Sequence, residues 1–316
     1  MSKRSQIKLI VYRNLPGFVK ERIRAYAENK KMAYWAECFK TKVSKEQVDA
    51  LFGKLALEHD VMIHSSLPEI GNIKLRHVTD NLWEYVINRG KTILCPAIPV
   101  KGSTLDYLMS IKEFDVKTAP NAMGTISCFY GRQEEARRSM SPTHSVIAFG
   151  KGSKEYTKEH HLSETPFTEK SPYFKLILNH GKILMFGASL RHLTFNHVLE
   201  DMIGEEVFPV KVYDSRRFKV SVVDEVGNRS ECFFRGHSHQ SGRLRDSEEL
   251  MNMVRLLPST SIFQIGCGEV ILLDARDVII CLLNGLKSGI TTMGRRKVSD
   301  ACRRKADEWI SFIQQL

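Results

Sequence analysis

The sequence predicts an α/β fold, a sheet covered by helices, and three observations carry that reading. Short apolar runs of strand length alternate with longer stretches of helical periodicity. There is no internal repeat and no low-complexity tract. The chain has 316 residues, 42% of them hydrophobic and 26% charged, which is ample material for a core. An α+β arrangement of the same elements is also compatible with this pattern.

In order along the chain, Val19, Ile23, Tyr26 and Ala27 recur at near-helical spacing after Pro16-Gly17 and predict a helix over 17–40. Ser44 reads as an N-cap, with Glu46 and Gln47 in the first turn. The stripe Val48, Leu51, Phe52 and Leu55 extends that helix to about His59. Val61-Met62-Ile63 is a strand that ends at His64-Ser65-Ser66. A helix near 77–89 presents Val78, Leu82, Tyr85 and Val86, and Gly90 then leads into the strand 92–95, closed by Pro96. Further strands are expected at 145–149, 182–187, 218–223 and 269–273. Further helices are expected at 121–137, 194–204, 246–256, 275–286 and 298–314. The polar segment 224–245, with Gly227, Gly236 and Gly242, reads as a loop or hairpin excursion.

Charge divides the chain. The net charge is +11, and residues 1–45 carry +9 of it, interleaved with Tyr12, Phe18, Tyr26, Tyr34, Trp35 and Phe39. The expected division is a basic aromatic extension, 1–43, and a main domain, 44–316. The extension reads as a docked helix with a solvated outer face or as a peripheral contact with an anionic membrane; nucleic acid is not an expected partner. Seven cysteines, odd in number and without a C-x-x-C pair, argue against a disulfide scaffold and for reduced thiols, several of them small core residues. No run approaches about 18 apolar residues, and the run Ile7–Tyr12 is too short and too charged for a signal core. A cytoplasmic setting is the expectation.

Thr143-His144-Ser145 places a histidine at the mouth of an apolar strand, flanked by hydroxyls that can fix its tautomer. Neutral imidazole is the side chain best matched to proton abstraction near pH 7. The runs around it raise the interest further. Met123-Gly124-Thr125-Ile126-Ser127 precedes Pro142-Thr143-His144-Ser145. His64-Ser65-Ser66-Leu67 and Gly90-Lys91-Thr92-Ile93-Leu94-Cys95-Pro96 lie upstream. Downstream come His161, Pro166-Phe167, Ser171-Pro172-Tyr173, Gly181–Gly187, then Thr194, His197 and Glu200, and finally Gly266–Glu269 before Asp274–Val278.

In this order these pieces resemble the aminoglycoside 3-N-acetyltransferase family over roughly residues 44–285. The resemblance implies a central mixed sheet flanked by helices and direct transfer of acetyl from acetyl-CoA, as co-substrate, to an amine. It implies His144 as general base, supported by Glu200, His197 and Thr194. CoA is expected along Ser65, Ser66, Leu67, Gly124 and Thr125. The amides and hydroxyls of Ser65-Ser66 are expected to serve the developing oxyanion or the pantetheine arm of CoA. The acceptor-facing positions are Cys128, Ser141, His161 and His192.

The chain departs from the family pattern at Ser141 and Cys128, which replace a histidine and a glutamate, and at Thr168, which replaces a glycine. With one carboxylate fewer and a body near neutrality, an amino sugar bearing an anionic group, as in surface-polysaccharide or sugar metabolism, is the expected acceptor. The alternatives are an aminoglycoside, as in antibiotic resistance, and a sugar hydroxyl. Rival chemistries are a covalent Cys128–His144 pair and a metal hydrolase using His237 with His239, or His192 with His197 and Glu200. A non-catalytic binding protein is the rival of another class. No metal is expected, and the oligomeric state is open.

Overall fold

The alternation of side chains along the strands decides how the sheet is covered. In the structure of this chain, a computed structural model describing residues 17–100 and 102–316, seven strands form the main sheet. They are β1 (Val61–Ser65), β2 (Thr92–Pro96), β3 (Arg137–Arg138), β4 (Val146–Gly150), β5 (Lys182–Phe186), β6 (Ser261–Ile265) and β7 (Gly268–Asp274). Their order is β6-β7-β5-β1-β2-β4-β3. β1 runs parallel to both β2 and β5, and every other pairing is antiparallel. The sheet is therefore mixed, as expected.

Both faces are buried. Met62, Leu94, Ile183 and Met185 point into one apolar cluster, while Val61, Ile63, Ile93, Cys95, Leu184 and Phe186 point into the other. The first face is covered by the helices Pro172–Leu178, Phe195–Ile203, Glu248–Arg255, Ala275–Lys287 and Asp300–Gln315. Lys45–Phe52, Leu75–Leu82 and Thr125–Tyr130 cover the second. The excursion at 224–245 pairs Arg229–Phe234 back onto Phe218–Val223, which also takes Glu113–Asp115 as a parallel neighbour, around a small core of its own.

Local chemistry explains where elements start and stop. Ser44 Oγ accepts the Gln47 amide at 3.3 Å and the Gln47 side chain accepts the Ser44 amide at 2.9 Å, a full capping box. That helix ends at Phe52, well short of His59, because Gly53 interrupts it and Leu55 and Leu57 turn into the core. The helix expected over 121–137 is only Thr125–Tyr130. Gly124 before it has φ 92°, and after it a Cβ at Gly131 would meet Ile147 Cδ1 at 2.6 Å. The helix expected near 77–89 continues past Leu82 as a π-helical stretch, Trp83–Ile87. Of the basic extension, residues 1–16 lie outside the described residues. The helix Gly17–Cys38 is exposed over most of its described length. Among the described residues no helix is long and apolar enough to cross a membrane.

One edge of the sheet gathers the chain's chemistry. The C-terminal ends of β1, β2 and β5 lie together, since Ser65 pairs with Phe186 and Pro96 with Val146. Because β4 and β7 run the other way, their starts, just after His144 and Cys267, fall at the same edge. The carboxyl ends of parallel strands, around a strand with parallel neighbours on both sides, are where open α/β sheets bind ligands.

Candidate active site

The loop that carries His144 is closed by its own backbone. Ser139 donates its amide to the Val146 carbonyl at 2.9 Å, and Ser139 Oγ accepts the Val146 amide at 2.9 Å. Ser141 Oγ accepts the His144 amide at 3.4 Å. Arg138 braces the loop from below. Its guanidinium donates to the carbonyls of Ala97 at 2.5 Å, Ala119 at 2.5 Å and Pro120 at 2.8 Å, and to Ser145 Oγ at 3.0 Å. Burial lowers Arg138 to about 10. His160 holds the other wall. The Pro166 carbonyl can only accept, so His160 Nε2–H donates to it and Nδ1 of the neutral ring accepts from the Ser139 hydroxyl, both at 2.8 Å. That fixes Pro166-Phe167, and the Phe167 ring packs 4.7 Å from the His144 ring.

Helix Phe195–Ile203 brings the next members. His197 and Glu200, three apart, share a face, and His197 Nδ1 donates to Glu200 Oε2 at 3.0 Å. Glu200 is buried and fully engaged. Arg245 grips both of its oxygens, at 2.9 Å on Oε2, and the Thr292 hydroxyl donates to Oε1. Burial alone would raise this carboxyl, but Arg245 and His197 hold it well below the usual carboxylate range. His237 completes the group. Its ring lies 4.5 Å from His197 and 5.4 Å from His144, and it stacks on Tyr213 at 4.9 Å. Tyr213 in turn donates to Asp201 at 2.6 Å. The Phe167 amide also donates to Asp201, at 2.9 Å, yet burial raises Asp201 to about 7 against both donors.

The three imidazoles are kept neutral. Burial comes first for each, and Arg245 adds to it, joined for His144 and His237 by the neighbouring imidazoles. His144 and His237 fall well below the ordinary value, and His197 falls as well, while Glu200 opposes the shift in all three. His144 Nδ1 and His237 Nε2 are buried without a hydrogen-bond partner among the described residues. A neutral imidazole keeps a lone pair on one ring nitrogen, which can take a proton from an amine that reaches it.

The expected site residues fall into three groups. His144, His197 and Glu200 come together with Ser141 behind them, but Glu200 bonds His197 and not His144, whose ring stands 6.0 Å from that of His197. Without a direct bond, Glu200 opposes the lowering of His144, and Arg245 adds to that lowering. Thr194 Oγ1 lies 3.3 Å from His64 Nε2, linking the helix start to the end of β1. Ser65 and Gly124 are adjacent, a Cβ on Gly124 falling 3.8 Å from the Ser65 carbonyl, with Leu67 and Thr125 beginning the two following helices. Ser66 and His192 line a cleft of about 420 Å³ at this edge. The Ser66 amide is spent on the Phe186 carbonyl at 2.9 Å, so it is not the free oxyanion donor expected of it.

Cys128 stands elsewhere. Its thiol donates to the Asn121 carbonyl at 3.8 Å and lines a second cleft with Arg137, Arg138 and Glu225. His161 neighbours Glu159, Lys170 and Asp224. Of the metal rivals, His239 binds Asp106 at 2.8 Å, so the His237-x-His239 pair is split. His197, Glu200 and His237 do offer ligand atoms within 4.8 Å of one another. Arg245 already holds both carboxylate oxygens, so a cation would have to displace a guanidinium.

Comparisons with known proteins identify the family and the fold. The family model described as aminoglycoside 3-N-acetyltransferase matches residues 62–286. The chain belongs to that family. Its members are acetyl-CoA-dependent N-acetyltransferases, so this aminoglycoside 3-N-acetyltransferase family member is an acyltransferase. Among solved structures it is similar to AAC-IIIb in a binary complex with CoASH, at 19% identity and TM-score 0.62, covering 78% of this chain and 96% of that one. AAC-VIa bound to sisomicin is similar at 20% identity and TM-score 0.60, over 78% and 98% of the two chains. The YokD protein from Bacillus subtilis is similar at 19% identity and TM-score 0.60, over 87% and 96%. No curated protein matches the sequence closely enough to count as a relative. The members that sequence reasoning missed, Arg245, Tyr213 and Thr292, stand in segments without a local motif, and His237 was read only as half of a metal pair.

Proposed function

We propose that this protein transfers acetyl from acetyl-CoA directly to an amine of an aminoglycoside-type amino sugar, with His144 as general base. The observation that carries the reading is a buried neutral imidazole, His144, with an unpartnered Nδ1 at the edge where the parallel strands end. Family membership and the sisomicin-bound relative support the acceptor class, and the CoASH-bound relative supports the donor.

The residues at that edge fit such a donor. A Cβ at Gly187, where φ is 70°, would come 2.5 Å from the Ser66 carbonyl, so the backbone there is kept bare. Ser65, Ser66, Leu67, Gly124 and Thr125 would hold acetyl-CoA, which supplies the activated thioester. With the Ser66 amide committed, hydroxyls rather than that amide serve the developing oxyanion. His144 takes the proton from the attacking amine, and Glu200, bonded to His197, partly offsets the cost of the charge it gains. A direct path makes Cys128 dispensable. The division at residues 43/44 and a cytoplasmic setting belong to the same proposal, the first resting on the contrast in charge between the two segments and the second on the cysteine pattern.

One observation favours a second reading, an amino sugar of lower positive charge. Arg245 cancels the buried carboxylate of the cluster, which leaves less negative charge to hold a polycation. Release of free CoA, measured across aminoglycosides, neutral amino sugars and nucleotide-linked amino sugars, decides. Turnover on aminoglycosides is expected. Turnover confined to the anionic sugars would replace the first reading with the second, and no release with any amine would contradict both.

A further inference from the structure

The helix Gly17–Cys38 is fastened to the body near its C-terminal end. Trp35 Nε1 donates to Glu69 at 2.8 Å, and the Asn72 amide donates to the Thr41 carbonyl at 2.9 Å. Lys42–Val43 then pairs in parallel with Asn72–Ile73. Opposite this junction stands the turn Gly266-Cys267, whose Cys267 amide donates to the Ile70 carbonyl at 2.9 Å.

Two cysteines meet there. Cys267 Sγ lies 3.2 Å from Thr41 Oγ1 and 3.9 Å from the Cys38 carbonyl oxygen. Cys267 Sγ thus stands over the Cys38 backbone, at the end of the helix that carries the Cys38 thiol. Cys267 is exposed, whereas Cys38 is 2% exposed beneath it. Tyr34 and Cys267 both line the cleft that Ser66 borders, so the pair sits at the lip of the proposed donor site. Lys31 and Tyr34, which extend that wall, come from outside the family-matched residues 62–286.

We propose that Cys38 and Cys267 are a reversible oxidation site, closing to a disulfide that staples the N-terminal helix to the lip of the cleft. With Cys267 Sγ already 3.9 Å from the Cys38 carbonyl oxygen, side-chain rotation is the main movement that bridging asks of the pair. With hydrogen peroxide as oxidant, the accessible Cys267 thiolate attacks one peroxide oxygen. The O–O bond breaks, hydroxide leaves, and Cys267 becomes a sulfenic acid. Cys38 then attacks that sulfur, the S–S bond forms, and the hydroxyl departs as water with the Cys38 proton. In sum, two thiols give up two electrons and two protons, and one peroxide becomes two waters. Burial shields the Cys38 thiol from peroxide, so the exposed Cys267 is the first to react. The bond would join positions 229 apart and would constrain the unfolded chain accordingly.

The test is alkylation and peptide mapping of the intact protein after mild peroxide treatment under native conditions. Oxidation is expected to protect two of the seven thiols and to yield one peptide pair joined through Cys38 and Cys267, both effects reversed by dithiothreitol. In Cys38→Ser, Cys267 is expected to stop at a sulfenic acid that dimedone traps, with no intramolecular link. Trypsin should cut the oxidised helix more slowly than the reduced one. A wild-type map showing Cys267 over-oxidised, unreacted or joined only to another molecule, without the Cys38 link, would overturn the proposal. That map needs no variant to fold, and it is independent of any acetyl-transfer activity.

Discussion

The histidine cluster and the N-terminal helix meet the same edge of the sheet and are held in opposite ways. His144 and Glu200 are buried and His197 and His237 half-buried, and the cluster is fixed by neighbours that are themselves bonded: Ser139 and Arg138 below, Arg245 and Thr292 behind. The helix Gly17–Cys38 leaves Tyr26, Met32 and Tyr34 exposed and depends on a few contacts near Trp35 and Cys38. The first region is where chemistry needs a rigid, charge-compensated wall. The second adds a boundary to the cleft and contributes little to the core. Perturbations should therefore cost far more in the cluster than in the helix.

The sharpest way to break the contrast is Arg245→Met. It leaves Glu200 as an uncompensated buried charge, and a loss of about 3–5 kcal/mol of folding stability is expected by denaturant titration. A loss below ~1 kcal/mol would mean that the carboxylate finds another partner.

Acid comes next. His64 is lowered to about 3 and His160 to about 4, in both cases chiefly by burial, and His144, His197 and His237 are lowered too. Each folded value lies below the unfolded value of about 6.5. The unfolded chain thus binds more protons, so the stability that these groups contribute is present above ~6.5 and is lost as pH falls toward the folded values. Asp201, raised to about 7, works the other way, since it keeps its proton in the fold. One carboxyl against five imidazoles leaves a net loss. Denaturation midpoints at pH 7.5 and pH 5 check the sign, and an unchanged midpoint would contradict it.

Trp35→Phe carries the smallest expected effect. It removes the bond to Glu69 and should cost about 1 kcal/mol at the helix junction, with acetyl transfer from saturating acetyl-CoA unchanged. Loss of turnover in this variant would move the helix from boundary to active site.

What the sequence revealed follows the same division. β1, β2, β4 and β5 were legible because both faces of the sheet are buried and their apolar runs are continuous. β6 escaped because most of its side chains are exposed, and it pairs only with β7. His144 was legible because it stands in a motif with a strand behind it. Arg245 and Thr292 were not, because their role exists only where a loop and a turn from the far end of the chain close on Glu200. The partner of His197 was visible at a spacing of three on one helix, whereas its relation to His144 depends on β4 lying two strands from β5's neighbour β1. Gly124 and Gly131, which shorten a helix that apolar spacing alone extends, show backbone geometry overriding periodicity.

The most direct test of the account compares His144→Ala with the wild type in the free-CoA release assay, with CoA binding and thermal unfolding measured on the same samples. The account predicts that turnover falls by about 10²–10⁴-fold while CoA binding and the folded state persist. Turnover within a few-fold of the wild type would contradict the assignment of His144 as the base.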